Sequence, residues 1–171
     1  MKTSVALIGF MGTGKTAAGK MLAEKLGKGF VELDAYIEKK AGKTVTEIFK
    51  DGEISFREME IAAVKEISKK KNQVIACGGG VVLNRINIDR LKQNAVIVYL
   101  TASPVVILRR TAGDTGRPLL NTPDRLQRIR DLLKMRRSLY ERAADITIST
   151  SRSNVEAVVE EIIEKLKSYE G

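Results

Sequence analysis

Residues 9–16 read Gly-Phe-Met-Gly-Thr-Gly-Lys-Thr, a match to the pattern Gly-x₄-Gly-Lys-[Ser/Thr]. The run closes an apolar stretch, Ser4–Gly9, and opens a helical stripe of Ala18, Met21, Leu22 and Leu26. That strand-turn-helix context is what the pattern requires. Glycines let backbone N–H groups turn inward as an anion nest, and the helix N-terminus adds its positive end. Lys15 is then placed to reach the outer phosphates of a nucleotide, and Thr16 to offer its hydroxyl to Mg²⁺.

Four further apolar runs follow: Phe30–Asp34, Gln73–Cys77, Ala95–Leu100 and Ile146–Ser149. Val and Ile dominate several of them, as in strands buried on both faces. Longer helical patterns alternate with the runs, which predicts an α/β fold with a parallel sheet. The last helix is the plainest. Val155, Val158, Val159, Ile162, Ile163 and Leu166 form one stripe, and Ser153 with Glu156 reads as a capping box. Helical segments are expected near Thr44–Lys50, Glu53–Lys70 and Asp124–Ala144. The 171 residues fit one domain.

Composition excludes several chemistries. Histidine is absent, so Ser-His-Asp triads, Cys-His dyads and His-ligated zinc are ruled out. The single cysteine, Cys77, has no internal partner and reads as a small buried residue. No run of 18 apolar residues offers a membrane span. The N-terminus lacks a signal-peptide pattern and reads as a cytoplasmic start. No Asn-Lys-x-Asp guanine reader occurs. Val74-Ile75-Ala76-Cys77 ends in Gly78-Gly79-Gly80 rather than an acid, which disfavours a motor or remodelling ATPase and favours a small kinase. The net charge is +9, and residues 104–142 hold ten Lys and Arg against four Asp and Glu. A solvated helix face or an anion site would both account for this. Aromatics at 5% and no Trp argue against a base-stacking nucleic-acid surface.

The acceptor side is expected at the C-terminal edge of the sheet. Alternation in Glu32-Leu33-Asp34 places both carboxylates on one side of a strand end, one for Mg²⁺-bound water and one for an acceptor hydroxyl; Asp34 as a simple helix cap is the other reading. Gly78-Gly79-Gly80 allows close backbone approach to a ligand, or is a flexible turn. Arg57 shares a helix face with Glu53 and Glu60, either as a surface ion pair or as a guanidinium held toward an anionic substrate. Arg136 falls on the apolar stripe of Ile129, Leu132, Leu133, Tyr140 and Ala143. A charge there needs a bound anion, an internal acid, or a snorkelling stem. The Gly- and Pro-marked segment Gly113–Pro123 reads as an ordinary connection or as a lid carrying Arg117 to a transferring phosphoryl group.

The ordered set of Asp34, Phe56-Arg57 with Glu60, Gly78-Gly79-Gly80, Arg117-Pro118-Leu119-Leu120 and Arg136 before Leu139-Tyr140 resembles the shikimate kinase family over nearly the whole chain. The resemblance implies a three-layer P-loop kinase fold with a five-stranded parallel sheet, a substrate-binding region near 33–61 and a mobile lid near 112–124. It implies Mg²⁺-dependent transfer of a phosphoryl group from ATP to the 3-hydroxyl of shikimate, in the route to aromatic amino acids. By the same carry-over, Lys15, Asp34 and Arg117 are catalytic. Gly12, Thr13, Gly14, Lys15, Thr16, Ala17, Arg110 and Arg117 bind ATP, with Arg110 beside adenine. Asp34, Arg57, Gly78, Gly79, Gly80 and Arg136 bind shikimate. Thr16 and, through water, Glu32 serve the metal; the family often has Asp at position 32. The adenine-side loop, Arg152-Ser153-Asn154-Val155, departs from the family's usual Arg-Asn-Pro. The expected partners are ATP and shikimate, with no nucleic acid and no membrane, for a cytoplasmic monomer. A kinase for another small acceptor such as gluconate, and a basic module that uses nucleotide to switch nucleic-acid binding, are the competing readings.

Overall fold

A computed structural model describes residues 1–114 and 116–170. Thr115, within the expected lid, lies outside the described residues. Among those residues, β1 (Ser4–Ile8), β2 (Gly29–Glu32), β3 (Gln73–Ala76), β4 (Ala95–Thr101) and β5 (Ile146–Ser149) form one sheet in the order β2-β3-β1-β4-β5. Every neighbouring pair is parallel. The intervening helices are α1 (Lys15–Leu26), α2 (Leu33–Ala41), α3 (Val45–Lys50), α4 (Glu53–Ile67), α5 (Arg85–Leu91), α6 (Pro104–Thr111), α7 (Arg125–Ala143) and α8 (Val155–Glu170). Short 3₁₀ turns occur at Val81–Leu83 and Pro118–Leu120.

Three layers follow from the two-residue repeat of the strands. Ala6 and Ile8 of β1 join Ile75, Ile97 and Tyr99 on one face, under α2, α3, α4, α5 and α7. Val5 and Leu7 join Val74, Val96 and Val98 on the other, under α1 and α8. β1 is therefore buried on both sides, which explains its unbroken apolar run. A smaller cluster of Phe10, Met11, Ile107, Leu120, Ile129 and Leu132 seats the Pro118–Leu120 turn against α6 and α7. This architecture matches the expected five-stranded parallel fold.

Local details differ from the sequence reading in two places. The second strand stops at Glu32, and Leu33 and Asp34 already belong to α2. Alternation along a strand therefore does not relate Glu32 to Asp34. Leu33 is fully buried, and burying it starts the helix that carries Asp34 in its first turn. At α8, Asn154 rather than Ser153 makes the cap, its Oδ1 accepting from Ala157 N–H at 2.8 Å. The helix consequently begins one residue later than the Ser153–Glu156 box implies, and Val155 stays 37% exposed. Replacing Asn154 with alanine is expected to lower unfolding free energy by about 1 kcal/mol. Urea titration checks this as a lower midpoint at unchanged slope.

Candidate active site

β1 ends where the chain must turn sharply into α1. Gly9 has φ 147°, and a Cβ there would lie 2.3 Å from the Leu100 carbonyl oxygen. Gly14 has φ 90° and open space around it, so backbone conformation alone demands glycine. Lys15 Nζ donates to the carbonyls of Gly9 at 2.7 Å and Phe10 at 2.9 Å. The Thr13 hydroxyl donates to Phe10 O at 2.7 Å, and Thr13 O accepts from Thr150 Oγ1 at 3.1 Å. Thr13 is buried and braces the turn. Its side chain does not line the cavity, so any ATP contact at this residue falls to the backbone. Arg110 Nη1 donates to Gly12 O at 3.2 Å, and its Nη2 to Thr150 O at 2.7 Å. Arg110 thereby ties the glycine turn to the segment after β5.

Two cavities meet at this edge of the sheet. The first, with about 810 Å³ of open space, is lined by Gly12, Gly14, Lys15, Thr16, Ala17, Glu32 and Arg110. The second, with about 470 Å³, is lined by Arg57, Gly80 and Arg136 together with Met11, Val45, Phe49 and Phe56. Asp34, Gly78, Gly79 and Arg117 line both. Glu32 and Asp34 thus share a cavity although they belong to different elements.

The second cavity is a cationic pocket with apolar walls. Arg57 donates to Glu53 Oε1 and to Glu60 Oε1, each at 3.1 Å. Glu60 is fully buried, so this is no surface pair. Arg136 is 3% exposed and lies over the Phe10 ring, 5.9 Å from its centroid. Among the described residues it forms no ion pair, and its Nη1 has no hydrogen-bond partner. Asp34 Oδ1, Glu60 Oε2 and Arg57 Nε are likewise buried without partners. Four orphaned polar atoms around one cavity mark a site shaped for a polar guest.

Gly78, Gly79 and Gly80 close this cavity, and none has a positive φ, so space rather than conformation selects Gly78 and Gly80. A Cβ on Gly80 would stand 2.3 Å from Arg57 Nη1, and one on Gly78 would stand 2.8 Å from Asp34 Oδ1. The glycines let the working side chains approach the backbone.

The family model described as "SKI: Shikimate kinase" matches residues 11–167. The chain belongs to the shikimate kinase family. A shikimate kinase from Caldanaerobacter subterraneus is 50% identical over 161 residues, 94% of this chain and 94% of that protein. One from Pelotomaculum thermopropionicum is 46% identical over 167 residues, 97% of this chain and 96% of that protein. The solved structure of shikimate kinase from Acinetobacter baumannii in complex with shikimate superposes with a TM-score of 0.95 at 38% identity, covering 98% of this chain and 94% of that one.

In this member of the shikimate kinase family, ionisation follows burial. Burial, with the nearby Arg117 charge, lowers the Lys15 ammonium to about 8. Burial raises the Asp34 carboxyl above its usual value, and the Lys15 charge opposes that rise. Burial also raises Glu60 to about 7 against the pull of Arg57. The Cys77 thiol is pushed up to about 12, which keeps it unreactive in the buried wall.

The segment after α6 is held largely by its own arginines. Arg117 Nε donates to Asp114 Oδ2 at 2.7 Å, and Asp114 Oδ1 accepts from Gly116 N–H at 2.8 Å. Arg125 Nη2 donates to Thr111 O at 2.7 Å, and Arg128 Nε to Leu119 O at 3.2 Å. The sequence reading missed Asp114, Arg125 and Arg128 in this role, and Met11, Val45 and Phe49 as cavity walls. No described helix is long and apolar enough to cross a membrane.

Proposed function

We propose that the chain transfers the γ-phosphoryl group of ATP to the 3-hydroxyl of shikimate, with ATP in the larger cavity and shikimate in the smaller. The observation that carries this reading is the wall shared by the two cavities. Asp34 and Arg117 stand there, between a glycine-lysine turn and a pair of arginines. A carboxylate-bearing acceptor is matched by Arg57 and Arg136, because forked guanidinium contacts would satisfy the orphaned Arg136 Nη1. Asp34 takes the proton of the attacking hydroxyl. The new O–P bond forms as the bond from the γ-phosphorus to the leaving ADP oxygen breaks. Lys15 and Arg117 stabilise charge on the transferring group, where fixed cations act without reorganisation.

The Thr16 hydroxyl and the Glu32 carboxylate are oxygen donors on the ATP cavity, and this suits Mg²⁺. Among the described residues no group of three or more His, Cys, Asp or Glu could hold a metal ion, so Thr16 and Glu32 would hold Mg²⁺ together with the nucleotide. When bound, Mg²⁺ screens the phosphate charge.

The placement of the arginines also bears on the basic charge. Arg110, Arg117 and Arg136 serve the cavities, while Arg125 and Arg128 bond backbone carbonyls. This supports the use of these cations on ATP and shikimate; that the chain is a cytoplasmic monomer with no nucleic-acid partner belongs to the same proposal. The lid role of residues 112–124 belongs to the same proposal.

The direct test is ADP release with MgATP in the presence of shikimate, gluconate, nucleoside monophosphates or no acceptor. Release only with shikimate is expected. Release that ignores the acceptor, or needs gluconate, overturns the assignment. Arg57→Ala is expected to raise KM for shikimate by about 10- to 100-fold, the size of a lost hydrogen bond to a charge, with KM for ATP little changed. Equal loss of both ligands would assign Arg57 to structure alone.

A further inference from the structure

Residues 78–81 form a tight turn closed by Val81 N–H donating to Gly78 O at 3.2 Å. Gly80 has φ −99° and ψ 9°, the geometry of the third residue of a type I turn. In such a turn the closing bond uses the outer residues. The central peptide, from Gly79 C=O to Gly80 N–H, is free to bond elsewhere. Its carbonyl accepts from the Tyr140 hydroxyl. Tyr140 is fully buried in α7, stacks on Tyr99 with ring centroids 5.0 Å apart, and is absent from the cavity wall.

A trans peptide is planar, with N–H and C=O pointing in opposite directions. Anchoring the Gly79 carbonyl on Tyr140, in the core, therefore turns the Gly80 N–H away from the core. Gly80 itself lines the acceptor cavity. The Arg57 guanidinium lies against one side of this peptide, 2.3 Å from where a Gly80 Cβ would be. Arg136 Nη1 lies 3.7 Å from the Cβ position of Gly79. The Gly80 N–H makes no hydrogen bond within the described backbone and side chains.

We propose that Tyr140 is a positioning residue for the acceptor: its hydroxyl locks the Gly79–Gly80 peptide so that the Gly80 N–H stands between Arg57 and Arg136 as a third donor to the substrate. Tyr140 suits this work because it stays a neutral donor. Burial raises its hydroxyl to about 12, and the nearby Arg136 charge only partly opposes that. Phenylalanine would keep the ring stack and lose the bond to Gly79 O together with the hydroxyl's contact to the Arg136 guanidinium. The inference rests on shikimate occupying the smaller cavity.

The test pairs Tyr140→Phe with Tyr99→Phe, which removes the hydroxyl of the stacked ring that does not bond Gly79. KM for shikimate is expected to rise about tenfold in Tyr140→Phe, as for one lost hydrogen bond to a charged group. KM for ATP should change less than about twofold, and Tyr99→Phe should match the wild type. A purely structural hydroxyl would lower thermal stability and leave the ratio of the two KM values unchanged, which overturns the proposal. A second readout uses the wild type alone, so it survives any misfolding of the variant. In ¹⁵N NMR the Gly80 amide is expected to shift on adding shikimate. An unmoved Gly80 amide while other pocket resonances shift overturns the proposal. Absence of any shift from shikimate would instead overturn the placement of shikimate on which it rests.

Discussion

Lys15→Met is expected to lower kcat by about 10²- to 10³-fold while leaving the fold intact, as for one preorganised charge lost from a transition state. Each tenfold fall is about 1.36 kcal/mol of lost stabilisation. The Lys15 ammonium rests on the carbonyls of Gly9 and Phe10, at the mouth of α1. Burial lowers its pKa from the usual 10.5 to about 8, so this charge is held under a desolvation cost. Arriving phosphates remove that cost by supplying the counter-charge. The sign follows from proton counting. Between pH 8 and 10.5 the unfolded chain binds more protons at this residue than the native chain, so stability rises with pH across that window. Lys15→Met should abolish that rise. Denaturant titrations of both proteins at pH 7.5, 9 and 10 check it, beside turnover with MgATP and shikimate. Near-wild-type turnover in the folded variant would remove Lys15 from the mechanism.

The readable part of this molecule is periodic or local. β5 spans Ile146–Ser149, as its short β-branched run implies, and α7 carries Arg136 inward because the 3.6-residue repeat places it there. A glycine turn between strand and helix announces itself through residue types that few other structures need. Asp34 shows the limit of pattern alone. Glu-Leu-Asp alternates as a strand does, yet Leu33 is buried as the first residue of α2. Two residues of helix and two of strand carry the same polarity pattern, so only packing decides. Val45 and Phe49 are apolar residues one turn apart, and periodicity does not reveal whether such residues face a core or a cavity. Partners that are carbonyls were wholly hidden. Arg125 bonds Thr111 O, Arg128 bonds Leu119 O, and Tyr140 bonds Gly79 O. A carbonyl has no residue identity, so no sequence motif points to it. What the motif order supplied was the pairing of distant segments, and the geometry then gave each its reason. The glycines at 78 and 80, for instance, are required by Asp34 and Arg57, which lie 44 and 23 positions upstream.

The second large effect is expected at Asp34. Asp34→Asn keeps size and hydrogen-bonding capacity but cannot accept the proton of the acceptor hydroxyl. The expected fall in kcat is about 10²- to 10⁴-fold, the range of general-base catalysis, with KM for ATP nearly unchanged. The pH dependence separates this role from a purely steric one. Burial raises the Asp34 carboxyl above 3.8, so the folded protein keeps this proton to higher pH than the unfolded chain does. The stability contributed by that bound proton is full below 3.8 and is lost as pH rises through the folded value. Activity runs the opposite way, since only the ionised carboxylate accepts a proton. The acid limb of kcat/KM should therefore lie above the ordinary aspartate range. Glu60, raised to about 7 in the same pocket, adds a second acid to that limb. In its ionised form Glu60 holds Arg57 through the 3.1 Å contact, so its protonation should weaken shikimate binding more than catalysis. Glu60→Gln is then expected to flatten the pH dependence of KM for shikimate near 7, while the kcat limb due to Asp34 persists. Asp34→Asn should remove the kcat limb and leave the Glu60 effect on KM. If Asp34→Asn kept both the rate and the limb, the proton would have to leave by another route, and Asp34 would be reduced to orienting the acceptor.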